Sequence, residues 1–414
     1  MQTLTSLSKE PLIERGRCAT HGELQERPDA SLVWTSPAEP LNATPSRLSS
    51  VGIGEGKSNL GHRDAIVSRV PVVSADGTPL MPCKPAKARK LLRDGKALKR
   101  WSRLGIFYIQ LAFNPGNPTK QPIAAGADPG SKFEGISVVG TKDTVLNIMS
   151  EAVDWVKGSL EQRRRMRRAR RYRKTRCREC RFDNRLKRSR LPPSTKARWD
   201  AKLRVISQLK RIIPVSHVVV EDVKAATREG QRRWNSNFSP IEAGKQYFCS
   251  ALKAMGLEVI TRSGKGTKAF RDSLGLKKIK SKSRPVFESH CVDAWCLAAS
   301  ITGADRPSTR TLYYAVPLRF HRRQLHRLEP SKGGVRRRYG GTVSLGLKKG
   351  TLVKHVKYGL CYIGGNLKNM FSLHSLKTGR RITQNAKRSD FKILTRMAFR
   401  TQFLPPLKGA GFLG

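Results

Sequence analysis

The chain has 414 residues, and its 82 Lys and Arg against 30 Asp and Glu give a formal net charge of +52. Charge of this size repels itself unless a polyanion neutralises it, so the composition predicts a nucleic-acid partner. The sequence shows no signal-peptide pattern and no apolar run of about 18 residues, so we expect no membrane contact. We therefore expect a cytoplasmic protein, associated with the nucleoid if it is bacterial.

Residues 1–66 and residues 67–120 differ in composition and in the periodicity of their apolar residues. Residues 1–66 are rich in Ser, Pro and Gly without a sustained period, so we expect a flexible extension. Residues 67–120 are predicted to form a small cationic module. Its elements are a strand and turn in VSRVPVVSADGTPLMP, a basic helix in AKARKLLRDGKALKRW that ends near Gly95, and an alternating strand in GIFYIQLAF.

Residues 121–158 predict strand, turn and strand, with Asp128 at the end of the first strand in IAAGADPG. Residues 159–195 contain the strongest bias, because 16 of the 28 residues from Arg163 to Arg190 are Lys or Arg. A helix with cations on all sides cannot pack into an ordinary core, so it predicts binding along nucleic-acid backbones.

Twelve cations of this segment are the predicted nucleic-acid contacts: Arg163, Arg164, Arg165, Arg167, Arg168, Arg170, Arg171, Arg173, Lys174, Arg176, Arg178 and Arg181. Tyr172 and Phe182 could stack on bases, and packing is an equal alternative for Phe182. Cys177 and Cys180 have metal-like spacing but lack a second ligand pair nearby, so we expect two thiols rather than a zinc site.

Residues 196–305 alternate strands and helices, which predicts an α/β core. The elements are a helix over 197–211, a strand in PVSHVVVEDVKA, a Ser-capped helix in SPIEAGKQYFCSALKAMG, a strand in LEVITRSG and a helical pattern in VFESHCVDAWCLAASI. Residues 306–414 are expected to form a basic, β-rich module, with short strands between Gly turns from about Pro317.

Three acids lie in apolar contexts. Asp128 and Glu221 end strands, while Asp293 lies on an apolar helix one turn after His290. Each acid alone is explained as well by a turn, a cap or a local hydrogen bond. Together they predict a site for divalent metal, because two ions held by carboxylates can hydrolyse a phosphodiester. Mg²⁺ suits such oxygen ligands, and His290 could activate or orient the water.

These residues lie in segments that resemble the RuvC-like nucleases of the IscB family, transposon-encoded relatives of type II CRISPR effector nucleases. The resemblance covers about Val67 to Thr302, and the β-rich segment beyond it resembles the family's target-adjacent-motif-interacting region. Five ordered motifs carry it: PLMP with ARKLLRDGKA, GADPGSKFEGISVVG, RRARRYRKTRCRECRFDNR, VVVEDVKA and ESHCVDAW. They resemble the PLMP module, the first RuvC motif, the bridge helix and the second and third RuvC motifs.

The resemblance implies an α/β, RNase H-like (RuvC) core split by an arginine-rich bridge helix, with an N-terminal PLMP module and a C-terminal basic all-β module. It implies that Asp128, Glu221 and Asp293 bind metal and that His290 is catalytic. The implied cofactor is Mg²⁺ at a two-metal site, with Mn²⁺ as a substitute. The implied partners are a guide RNA, called ωRNA, and double-stranded target DNA, bound by a monomeric protein in a ribonucleoprotein.

Two departures from the family pattern stand out. Position 127 is Ala where the family commonly has a larger aliphatic residue, which leaves the strand prediction intact. Full IscB proteins carry an HNH nuclease between the second and third RuvC motifs, but residues 222–289 are few and contain no His. The chain therefore resembles IsrB, the branch without HNH, which implies nicking of the non-target strand.

Two other functions stay open at this point. One is a RuvC-type structure-specific or transposon-associated nuclease that acts without RNA. The other is a nucleic-acid-binding scaffold that does not cleave.

Overall fold

The structure is a computed structural model of the chain. It describes residues 69–117, 119–172, 191–224, 239–319, 328–329, 334–335 and 343–406. The expected flexible extension at 1–66 lies outside the described residues. So do Phe182 and the pair Cys177 and Cys180.

The helices and strands of the described residues follow in chain order. The helices are α1 Pro85–Arg93, α2 Trp155–Tyr172, α3 Pro193–Lys210, α4 Pro240–Ala254, α5 Gly264–Ser273, α6 Phe287–His290 and α7 Val292–Thr302. The first ten strands are β1 Val70–Val73, β2 Pro79–Cys83, β3 Ala97–Trp101, β4 Phe107–Leu111, β5 Ile123–Asp128, β6 Phe133–Gly140, β7 Thr144–Glu151, β8 His217–Asp222, β9 Glu258–Ser263 and β10 Leu312–Pro317. The others are β11 Leu328–Glu329, β12 Gly334–Val335, β13 Val343–Ser344, β14 Leu347–Lys348, β15 Thr351–His355, β16 Gly359–Leu367, β17 Met370–Ser375, β18 Arg381–Ala386, β19 Phe391–Arg396 and β20 Phe399–Leu404.

The central sheet has seven strands in the order β20-β10-β7-β6-β5-β8-β9. Strands β5, β8 and β9 run parallel, and β6 is antiparallel to both of its neighbours. The register of β5 and β8 pairs Ala127 with Val220, so Asp128 and Glu221 are the next residue on each strand. Parallel neighbours end at the same edge of a sheet, and this edge therefore carries both acids.

Helices cover both faces of the central sheet. Side chains of α3 and α4, such as Ile206 and Phe248, share one buried core with Ile123 and Ala125 of β5. Trp295 of α7 belongs to a second core on the opposite face, together with Ala124. A strand buried on both faces needs a continuous apolar run, which explains the sequence IAAGA before Asp128. This three-layer arrangement confirms the predicted α/β class.

Two glycines let the helices on the second face approach the sheet closely. A Cβ on Gly126 would lie 1.8 Å from the carbonyl oxygen of Ala294, and one on Gly135 would lie 1.9 Å from that of His290. The backbones of α6 and α7 therefore lie directly on β5 and β6. This contact places His290 and Asp293 beside the strand end that carries Asp128.

Two smaller sheets flank the central one in sequence. The first has the order β2-β1-β4-β3 and packs against α1 through a core that includes Val72, Ala88 and Ile109. The second is antiparallel, with the order β18-β17-β16-β15-β19 and a core that includes Val353, Ile363 and Leu373. β11 pairs with β12, and β13 pairs with β14.

The observed elements differ from the sequence expectations at three places. Strand β3 and helix α5 were not predicted, because their short polar sequences lack a clear period. The helical pattern around His290 is divided into α6 and α7 at Cys291. Strands β10 and β20 of the expected β-rich segment 306–414 belong to the central sheet, where Phe399 is fully buried in its first core. In the described residues, no helix has the length and apolar character needed to cross a membrane.

We expect Gly126→Ala to lower the free energy of unfolding by about 3 kcal/mol, because the new methyl group would collide with the α7 backbone. Gly158→Ala is the control, since a Cβ there meets nothing within 4 Å. It should stabilise α2 by about 0.5 to 1 kcal/mol. Urea unfolding followed by circular dichroism measures both changes, and equal stability of the two variants would contradict the close approach.

Candidate active site

Two carboxylates meet at the carboxyl edge of the central sheet. Asp128 ends β5 and Glu221 lies at the end of β8, where the two side chains share a hydrogen bond. Burial raises the pKa of Glu221 to about 8, and the nearby charges of Asp128 and Asp293 add to the rise. Glu221 is therefore protonated at neutral pH and donates to Asp128.

The third carboxylate, Asp293, lies in the first turn of α7 and is 3% exposed. Both of its oxygens bind cations. Arg271 of α5 donates to Oδ1 at 2.8 Å, and Lys278 donates to Oδ2. Lys278 also lowers the pKa of Glu221, so its ammonium lies within reach of both acids. Positive charge thus already balances part of this acidic cluster.

His290 ends α6 and is buried, and its backbone packs on Gly135, the residue of β6 that pairs with Asp128. Its Nε2 lies 3.2 Å from the carbonyl oxygen of Arg284, and its ring packs edge-on against Phe133 with 5.1 Å between ring centroids. A carbonyl only accepts hydrogen bonds, so Nε2 carries a proton. Burial lowers the pKa of His290 to about 4, with Lys282 contributing, and the ring is neutral at physiological pH.

A basic strap, residues 277–284, lies beside these side chains. Its Lys278 holds Asp293, its Lys282 donates to the carbonyl oxygen of Ser289, and its Arg284 accepts from His290. Burial and Lys278 lower the pKa of Lys282, while Asp128 and Asp293 work in the opposite direction. The strap therefore contributes two lysines to the neighbourhood of the carboxylates.

The chemistry of these donors fits Mg²⁺, which prefers carboxylate oxygens. The raised pKa of Glu221 reflects the negative charge of its neighbours Asp128 and Asp293, which a divalent cation would offset. In the described residues, no three His, Cys, Asp or Glu side chains have the arrangement of a formed metal site. Both oxygens of Asp293 are instead held by Arg271 and Lys278.

One buried ion pair next to the site was missed by the sequence reasoning. Glu134 of β6 is 3% exposed and lies 2.5 Å from the Lys202 ammonium of α3. Burial raises the pKa of Glu134 to about 7, while Lys202 and Arg198 oppose the rise and Asp128 adds to it. The available signal was an acid inside the otherwise apolar strand FEGISVVG.

The structure describes part of the predicted nucleic-acid contacts. On α2, Arg164, Arg165, Arg167 and Arg168 are exposed and Arg163 is half-buried. Arg165 pairs with Glu161 at 2.8 Å, and the Tyr172 side chain is 91% exposed. Seven of the twelve cations have no described side chain: Arg170, Arg171, Arg173, Lys174, Arg176, Arg178 and Arg181.

Comparison with known proteins gives one family match. The model of a family described as RRXRR protein matches residues 70–237, less than half of the chain. No curated protein matches the sequence.

The chain is also similar to three solved structures. Thermus thermophilus RuvC in complex with Holliday junction substrate is 19% identical, and the match covers 43% of this chain and 90% of that chain with a TM-score of 0.23. Another Thermus thermophilus RuvC structure is 16% identical and matches 42% and 90% of the two chains with a TM-score of 0.23. The yeast mitochondrial Holliday junction resolvase is 15% identical and matches 46% and 80%, with a TM-score of 0.24.

We expect Lys202→Met to lower the free energy of unfolding at pH 8 by about 3 to 5 kcal/mol, because it leaves the Glu134 carboxylate buried and unpaired. The loss should be smaller at pH 5. The pKa of Glu134 is higher in the folded chain than its ordinary value of 4.5, so protonation favours the folded state as the pH falls below about 7.

Urea unfolding of both proteins at pH 5 and pH 8 measures this difference. Lys196→Met is the matched control on α3, because its 3.1 Å pair with Asp200 is partly exposed. That variant should lose about 1 kcal/mol or less. A Lys202→Met loss that does not change with pH would show that Glu134 keeps its charge in the variant.

Proposed function

We propose that this protein is an ωRNA-guided, Mg²⁺-dependent endonuclease of the RuvC type that nicks the non-target strand of double-stranded DNA beside a short adjacent motif. The observation that carries the proposal is the meeting of three carboxylates from separate segments, Asp128, Glu221 and Asp293, at one edge of the sheet. The backbone of His290 packs on Gly135, the residue that pairs with Asp128. The order β7-β6-β5-β8-β9, with β6 antiparallel, supports an RNase H-like core.

The side chains have distinct proposed roles. Asp128, Glu221 and Asp293 hold Mg²⁺, and Mn²⁺ can substitute. When bound, the metal activates the attacking water and stabilises the leaving oxygen. His290, as a neutral imidazole, orients that water or accepts its proton. Lys278 and Lys282 of the basic strap bind the negative charge of the scissile phosphate once Lys278 has left Asp293.

The proposed RNA partner rests on the charge of the chain. A net charge of +52 exceeds what contacts with one short DNA segment would neutralise. The exposed arginines of α2 and the exposed Tyr172 ring offer contacts to phosphates and to an unpaired base. Base pairing with the guide would then select the target, and the β-rich segment would contact the adjacent motif. A monomer in a ribonucleoprotein is the proposed assembly.

The proposed product is a nick because the residues that the structure describes contain one cluster of acids at an edge of the central sheet. The described part of residues 222–289 forms α4, β9 and α5, and this interval contains no His for an HNH site. This supports the IsrB branch of the IscB family. Full IscB proteins would need a second nuclease here.

An RNA-independent RuvC-type nuclease is the second candidate, favoured by the acid cluster alone. Ribonuclease treatment of the natively purified complex separates the two. The guided enzyme should lose activity, whereas the unguided one would keep it. A non-cleaving scaffold would bind nucleic acid tightly at low salt and give no product with Mg²⁺ or Mn²⁺.

We expect Asp128→Ala to abolish the nicking of supercoiled target plasmid by protein and cognate RNA, a loss of about 1,000-fold or more, since metal supplies several kcal/mol. Asp305→Ala, an exposed acid outside the site, is the control and should nick at the parent rate. Gel separation of nicked and supercoiled DNA measures both. Equal rates for the Asp128 variant and the parent would refute the site.

Replacing Arg163, Arg164, Arg165, Arg167 and Arg168 with Ala should weaken RNA binding and lower the slope of log affinity against log salt. Each lost phosphate contact reduces the slope by about 0.7 to 0.9. Filter binding at several salt concentrations measures it. Gln162→Ala on the same helix is the uncharged control and should leave the slope unchanged. An unchanged slope in the arginine variant would show that these arginines of α2 do not contact the RNA.

Lys278→Met should raise the affinity for Mn²⁺ about three- to tenfold, because the ion no longer competes with an ammonium for Asp293. Electron paramagnetic resonance of free Mn²⁺ measures binding without any turnover. Lys280→Met, at an exposed lysine of the same strap, is the control for the general loss of one positive charge. If both variants bind Mn²⁺ equally, Lys278 does not compete with the metal.

A further inference from the structure

A cavity of about 380 Å³ adjoins the candidate active site. The loop 129–131 after Asp128 forms one side, and α3 and the start of α4 form the others. Glu221 lines the cavity, so the space reaches one of the three carboxylates of the site. Its size is in the usual range for small ligands, and none of the roles proposed above occupies it.

The charge of the cavity favours an anion. Its lining includes three cations, Arg198, Lys202 and Lys245, against one acid, Glu221. Lys202 and Lys245 already pair with carboxylates outside the lining. Arg198 has a buried Nε without a hydrogen-bond partner. Buried donors normally have partners, so this guanidinium is the group of the cavity that most needs an acceptor.

The other side of the cavity is apolar and is lined by Trp199, Pro240 and Ile241. Trp199 is fixed in place. A Cβ on Gly244 would lie 1.9 Å from its indole nitrogen, and the Phe248 ring lies 5.2 Å from it, centroid to centroid. Ile241 is 44% exposed, although it is apolar. A rigid apolar wall beside a cation suits a ligand with one flat apolar part and one anionic part.

We propose that this cavity binds one nucleotide of the strand that is cut, the nucleotide next to the scissile phosphate. Its base lies against Pro240 and the exposed Ile241, beside the largely buried Trp199, and its phosphate accepts hydrogen bonds from Arg198. The inference rests on the proposed nuclease function for the position of the scissile phosphate. A nucleotide fits better than a separate small molecule, because the cavity is lined by Glu221, one of the carboxylates that would act on the same strand.

Photo-crosslinking tests the site without any cleavage. The full chain is mixed with single-stranded oligothymidylate that carries 5-iodouracil, in EDTA, and is irradiated. The labelled peptides are then identified by mass spectrometry. We expect label on the part of α3 that contains Trp199 and on the start of α4 at Ile241. Label confined to other parts of the chain would overturn the proposal.

Two variants and one control make the test specific. Arg198→Gln removes the anion contact, and Ile241→Glu places a carboxylate on the apolar side. Arg198→Gln should lower labelling of these peptides about tenfold at equal total DNA bound, the effect of one lost charge-assisted contact, and Ile241→Glu should lower it as well, by repulsion of the phosphate. Arg204→Gln is the control, because Arg204 is exposed on the same helix and does not line the cavity. Unchanged labelling in Arg198→Gln would overturn the proposal even if Ile241→Glu fails to fold, which thermal unfolding reports.

The inference and the proposed function can fail separately. Label in the cavity, without guided nicking in Mg²⁺, would support the nucleotide site and reject the nuclease. Guided nicking, without label in the cavity, would support the nuclease and reject the nucleotide site.

Discussion

Backbone packs against backbone where α6 and α7 cross β5 and β6, and the candidate site depends on this contact. Gly126 and Gly135 have no side chain to hold the helices away, so the carbonyl groups of Ala294 and His290 lie on the sheet. Any larger residue at either position would move His290 and Asp293 away from the acids at the ends of β5 and β8.

The candidate site groups acidic side chains in a chain that is otherwise strongly cationic. Burial and mutual repulsion favour protonation of Glu221, and two cations neutralise Asp293. This arrangement is stable because each acid has either a proton or a cation as its partner. It also means that the acids are held close together by a proton and by the protein's own positive charges.

The sequence predicted the α/β class, most of the strands and helices around the site, and the strand ends at which Asp128 and Glu221 lie. The roles of Asp128, Glu221, His290 and Asp293 stay predictions. Strand endings and apolar runs are local signals, so they could be read directly. The partners of these residues could not be predicted. The contact of Lys278 with Asp293, the pairing of Glu134 with Lys202 and the cavity beside Glu221 each join segments that only the tertiary structure brings together. Helix α5 was missed because its glycine-rich, polar sequence has no period.

Strands β10 and β20 are neighbours in the central sheet but are far apart in the sequence. After β10 the chain leaves this sheet, forms the five-stranded antiparallel sheet, and returns as β20, where Phe399 enters the first core. During synthesis, the outer edge of β10 therefore stays unpaired until almost the whole described chain has been made. The five-stranded sheet is therefore inserted in the chain between two strands of the central sheet. It cannot be replaced by another domain unless β20 is kept, because β10 would otherwise have an unpaired edge.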